Sequence, residues 1–86
     1  MKAQVILYSK PGCHLCEEMK AEMARADCAE LYEFKEINIE TDKSLFARYA
    51  SDIPVLLINN VEAFRHRIDA PSFRARLARE FDRSSC

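Results

Sequence analysis

Eighty-six residues, 49% apolar and 31% charged, suffice for one small domain (1–86) with a single modest core, and they exclude a disordered or fibrous chain. The formal net charge of −1 supplies no global field toward nucleic acid or a membrane surface, so electrostatic recognition has to be local. The apolar run within "MKAQVILYSK" is too short for a signal peptide or a membrane span, so the four cysteines are read in a cytoplasmic chain, where a Cys-x-x-Cys pair is catalytic or metal-binding.

The continuous, β-prone run Val5 to Tyr8 predicts a central strand covered on both faces. After a turn at Pro11 and Gly12, Leu15, Met19 and Met23 recur every four residues among good helix formers, which predicts a helix beginning at the cysteine pair Cys13 and Cys16. "LYEFKEINIE" sets Tyr32 and Phe34 on one face and Ile37 and Ile39 on the other, a less regular strand placed parallel to the first because a helix separates them.

"TDKSLFARYA" supplies a capping Thr41 or Asp42 and an apolar set of Leu45, Phe46 and Tyr49, hence a short helix. Pro54 stands directly before the strand Val55 to Ile58, where it removes no ladder bond. Asn59 and Asn60 tolerate positive φ and suit a tight hairpin. The returning strand is expected near Ala63 to Ile68, with Phe64, His66 and Ile68 alternating against Arg65 and Arg67 at a sheet edge. Asp69 then caps a last helix with Pro71 in its first turn and Phe73, Leu77 and Phe81 as its buried stripe. The order β-α-β-α-β-β-α describes a right-handed β-α-β unit and a hairpin completed by a helix, a compact α/β sandwich.

Cysteines three apart at a helix start lie close enough for a disulfide that leaves the helix wound. The unpaired amides and positive dipole end there favour an anion at Cys13, and Lys10 adds to that while Glu17 and Glu18 oppose it. The chemistry implied is thiol-disulfide exchange: Cys13 attacks a substrate disulfide, and Cys16 resolves the mixed disulfide. His14, between the thiols, is a candidate for tuning the thiolate by a hydrogen bond or charge, against the reading of an exposed loop residue.

Metal is the competing reading. A closed zinc site needs four ligands, and Cys28, Cys86 and His66 are too scattered to supply a second close pair, so no metal ligands are assigned. An iron-sulfur cluster shared by two chains, each giving one thiolate pair, stays open as an alternative. So does a partner-binding domain whose thiols are idle or sense oxidation.

"YSKPGCHLC", followed about forty residues on by "IPVLLI", resembles the glutaredoxins, and more closely the short bacterial glutaredoxin-like proteins. The resemblance covers essentially the whole chain and implies a thioredoxin-like fold, a four-stranded mixed sheet flanked by three helices. It implies a cis peptide bond at Pro54 facing the cysteines, with the main chain of Ile53 free to pair with glutathione or a peptide, and Lys10 at a position that meets a glutathione carboxylate. Departures are plain: His14 and Leu15 stand where Pro-Tyr is usual, Asp52-Ile53-Pro54 where Thr-Val-Pro is usual, Asn59 and Asn60 where Gly-Gly would follow the third strand, and Asp69-Ala70 where an acidic pair would begin the last helix. They bear on glutathione and leave dithiol chemistry untouched.

Cys28 is read as a packing residue, Cys86 as a frayed accessible thiol, and His66 as a packed or hydrogen-bonded histidine. From Val61 onward six arginines face four acids without interleaved aromatics, which describes solvated surface, with an acidic partner protein as the alternative, rather than a nucleic-acid platform. The expectation is a monomeric thiol-disulfide oxidoreductase with no cofactor, acting on protein or glutathione mixed disulfides, with no nucleic-acid or membrane partner.

Overall fold

The computed structural model describes residues 2–84, with side chains through Glu80, so the readings of Phe81 as a stripe residue and of Cys86 lie outside the described residues. The strands are β1 (Ala3–Ser9), β2 (Tyr32–Asn38), β3 (Val55–Ile58) and β4 (Val61–Arg65), and the helices are α1 (His14–Ala26), α2 (Lys43–Tyr49) and α3 (Ala70–Ser84). Short 3-10 turns at Ala29–Leu31 and Ile39–Thr41 flank β2. The sheet order is β2-β1-β3-β4. β1 pairs in parallel with β2 and antiparallel with β3, which puts the β-prone run in the middle as expected of a strand covered on both faces.

Alternation along β1 sorts the core into two. Ala3, Val5 and Leu7 join Leu56 and Ile58 on one face, under Met19, Met23 and Ala26 of α1 and Phe73 and Leu77 of α3. Tyr8 points the other way, where its ring stacks on Tyr49 of α2 with centroids 4.9 Å apart. That second face holds a smaller cluster of Cys16, Ile39 and Ile53, with Leu45 and Tyr49 packed against it. In α2, positions 45 and 49 share this face and position 46 does not, so Phe46, expected with the apolar set, is 42% exposed.

The helices α1 and α3 cap one another. The Glu22 carboxylate of α1 accepts from the Ala70 amide at 3.1 Å, at the start of α3, where Asp69 also accepts from the Ser72 amide. In return the Arg74 guanidinium of α3 donates twice to the Ala26 carbonyl, at 2.8 and 3.1 Å, where α1 ends in a left-handed Asp27. Each helix thus satisfies backbone groups that the other leaves open. Cys28 is buried beside this junction, and burial pushes its thiol pKa up while nearby Arg74 partly offsets the rise.

The hairpin departs from the expected limits. Asn59 and Asn60 both have positive φ, 52° and 68°, so the two-residue turn closes at once and β4 starts at Val61. A bulge opposite Leu56/Leu57 shifts the register, and the ladder ends at the Val55–Arg65 pair. His66 has φ 71° and its amide donates to the Pro54 carbonyl at 2.8 Å, which turns the chain away from the sheet. It is therefore an exposed turn residue, and the reading of a packed strand histidine is corrected. Ile39, expected in the second strand, lies in the 3-10 turn after it and is fully buried.

Candidate functional site

Gly12, the one glycine of the chain, has φ +79°. A Cβ there would meet nothing within 4 Å, so its role is to supply a left-handed turn between Pro11 and the helix. The turn delivers Cys13 as the N-cap of α1: its amide donates to the Lys10 carbonyl at 3.3 Å, its carbonyl accepts from Glu17 at 3.3 Å, and its Sγ accepts from the Cys16 amide at 3.1 Å. Cys13 and Cys16 are joined as a disulfide with their Cα atoms 5.2 Å apart.

The two sulfurs differ in access. Cys13 is half-buried at the rim, whereas Cys16 is 1% exposed and packed with Ile39 and Ile53. Cys13 is thus the more accessible of the two residues. Once the disulfide opens, a Cys13 thiolate at this position faces an aligned amide and the positive end of a helix, the environment that favours a nucleophilic thiolate.

The loop before β3 closes the site. The Ile53–Pro54 peptide bond is cis, Pro54 is buried, and Ile53 packs in the sulfur cluster. The Ile53 amide is not free, contrary to the expectation for its main chain: it donates to the Tyr49 carbonyl at 3.1 Å, which also takes the Asp52 amide at 2.8 Å. The Ile53 carbonyl has no hydrogen-bond partner among the described residues.

The remaining candidates spread around the rim. Lys10 is half-buried and lines a cleft with Pro11, Gly12, Glu17 and Glu36, and it makes no ion pair among the described residues. Lys20 bridges two of the lining residues, Glu17 at 2.9 Å and Glu36 at 3.2 Å, and the Ser9 hydroxyl donates to Glu36 at 2.7 Å. The Glu17 contact is the main reason the Lys20 pKa is raised. The His14 side chain is 87% exposed and its Nε2 lies 3.0 Å from Glu18, one helical turn on, so its imidazole is engaged there rather than at the sulfurs. No cluster of three or more His, Cys, Asp or Glu able to hold a metal occurs among the described residues.

Two features of the site were not read from the sequence. The Tyr8–Tyr49 stack backs the sulfur cluster, and strand parity alone could have pointed Tyr8 away from Val5 and Leu7. The second is Arg65, whose guanidinium reaches Asp52 at 3.2 Å and Glu62 at 2.8 Å. Nothing local in the sequence signals a pair formed across thirteen residues and a hairpin.

Comparison with known proteins agrees with this arrangement. A family model described as a glutaredoxin-like domain matches residues 4–78. The glutaredoxin-like protein YDR286C homolog of Dictyostelium discoideum is 32% identical over 68 residues, which are 72% of this chain and 63% of that protein, so the match spans less than two thirds of the relative's length. Among solved structures, protein XcR50 from X. campestris superposes with a TM-score of 0.75 at 29% identity, covering 87% of this chain and 96% of its own. Thioredoxin-2 of the malaria parasite, at 16% identity, shares the fold with a TM-score of 0.66 over 91% of this chain and 82% of its own. No helix among the described residues is long and apolar enough to cross a membrane.

Proposed function

The chain belongs to the glutaredoxin-like family, with a thioredoxin-like fold and a Cys-x-x-Cys pair at disulfide distance, and from that premise we propose that it is a cytoplasmic thiol-disulfide oxidoreductase acting as a monomer. The observation that carries this reading is the inequality of the two sulfurs: an approachable Cys13 bonded by a helix-start amide, above a buried Cys16.

In the reduced protein the Cys13 thiolate attacks one sulfur of a substrate disulfide. A bond forms between Cys13 Sγ and that sulfur, the substrate S–S bond breaks, and the leaving thiolate takes a proton from water. Cys16 then loses its proton and attacks Cys13 Sγ, which releases the second substrate thiol and leaves the Cys13–Cys16 disulfide. Two electrons pass from the protein to the substrate, and an external thiol reductant returns them. Substrates are protein disulfides or glutathione mixed disulfides, bound along Ile53 and Pro54, with Lys10 adding positive charge at the rim. The reaction requires no cofactor, nucleic acid or membrane.

Substitution tests the roles. Cys13→Ser abolishes disulfide reduction, and Cys16→Ser accumulates a mixed disulfide on Cys13 that intact mass detects; full reduction by Cys13→Ser would overturn the mechanism.

A further inference from the structure

Asp52 puts a carboxylate directly before Ile53, whose side chain packs in the cluster that holds both cysteines. A bare negative charge at that place repels anionic disulfides. It is not bare: Arg65 Nη1 lies 3.2 Å from Asp52 Oδ2, while Arg65 Nε and Nη2 hold both oxygens of Glu62 at 2.9 and 2.8 Å. The ladder fixes Arg65 opposite Val55, the residue after the cis proline, so the guanidinium is seated beside the loop by backbone as well as by side chains. Arg48 completes the group, stacked 5.4 Å over the Tyr49 ring and lowering the Glu62 pKa together with Arg65, whose hydrogen bond contributes most. Two carboxylates and two guanidiniums balance at this rim.

We propose that Arg65 determines the charge selectivity of the site by neutralising Asp52, so that the groove accepts anionic disulfides that Asp52 alone would turn away. Arg65 acts through Asp52 and does not touch the reacting sulfurs. The inference rests on the exchange chemistry proposed above and names the substrate class that this rim admits.

The test uses pre-reduced, desalted protein and measures second-order oxidation rates at low ionic strength with glutathione disulfide (anionic), hydroxyethyl disulfide (neutral) and cystamine (cationic). Each charged rate is taken relative to the neutral one. With Asp52 uncovered in Arg65→Gln, the anionic ratio falls about fivefold and the cationic ratio rises by a similar factor, the size expected for charges within one Debye length of each other across water. Added salt closes the gap, Arg65→Lys retains the wild-type ratios, and Asp52→Asn combined with Arg65→Gln restores them. Should Arg65→Gln fail to fold, Asp52→Asn alone serves, and its ratios move toward the anion. Wild-type ratios in an active Arg65→Gln, or a shift that Asp52→Asn does not reverse, overturn the inference and leave the oxidoreductase reading standing. A wild-type protein that exchanges with none of the three overturns both.

Discussion

The amide of Cys16 points at the sulfur of Cys13 across 3.1 Å, and no equivalent donor among the described residues meets the sulfur of Cys16, which is buried with Ile39 and Ile53. The pair is therefore directional. In the reduced, folded protein, with Cys86 replaced by Ser so that the terminal residue does not enter the count, iodoacetamide modifies Cys13 first. Cys16 and Cys28 react only as the chain unfolds, Cys28 being held back by burial and by its raised pKa. Peptide mapping by mass over time reads the order, and early labelling of Cys16 or Cys28 would refute it.

Asp42 caps α2 through two hydrogen bonds to one oxygen, from the Ser44 amide at 2.8 Å and the Leu45 amide at 3.2 Å. The helix has seven residues and carries Leu45 and Tyr49 against the sulfur cluster, so its start has little else to hold it. Asp42→Ala is expected to cost about 1 kcal/mol in urea unfolding, as helix-cap deletions do. A Thr41→Ala change, at the other candidate cap, serves as the comparison, because the Thr41 hydroxyl donates to the Asn38 carbonyl and caps nothing in α2.

Glu36 contributes to the acid limb of stability alongside Glu62 and Asp69, whose pKa values are also lowered. Burial works to raise its pKa, and the Ser9 hydroxyl and the Lys20 ammonium outweigh burial, so the folded value lies below the ordinary one. A carboxylate lowered on folding contributes stability that is complete above its unfolded pKa and disappears as pH falls through the folded value. Glu36→Gln is therefore less stable than the parent at neutral pH, and the two converge in acid. Lys20, with its pKa raised chiefly by Glu17, loses its contribution only as pH rises through that raised value, outside this window. Urea midpoints between neutral pH and acid check the convergence; parallel curves would contradict it.

Phe73 is fully buried on the larger face of the sheet and meets the Tyr32 ring edge-on at 5.5 Å. Removing such a ring costs about 3–5 kcal/mol, while a chain of this length holds about 4–13 kcal/mol in all. Phe73→Ala is expected to remove a large part of that stability and to lower the urea midpoint steeply, and Phe73→Leu to lower it less. Circular dichroism during urea titration measures both.

How far the sequence reached depended on whether a signal was local. Val5 to Tyr8, the Leu15-Met19-Met23 spacing and the Asn-Asn turn each encode their structure within a few residues, and β1, α1 and the hairpin's turn fall where those signals place them. The cysteine pair was legible for the same reason. Phe64, His66 and Ile68 also offered a regular alternation, yet β4 ends at Arg65, because a bulge and a left-handed His66 bonded to Pro54 break the period that the residue types suggest. The Ile53 amide escaped for a related reason. Its bond to Tyr49 depends on how the chain leaves α2, which residue type does not record. Residue type places Arg65 on one face of a strand, and its pairing with Asp52 exists only once the hairpin has folded back beside the proline loop.

The mutual capping of α1 and α3 makes these helices a single cooperative unit. The end of α1 and the start of α3 are tied to each other, since unwinding the first frees Arg74 and unwinding the second releases Glu22. Hydrogen exchange should then show the amides of both helices opening in one slow class, with edge strand β2 and the short α2 exchanging earlier.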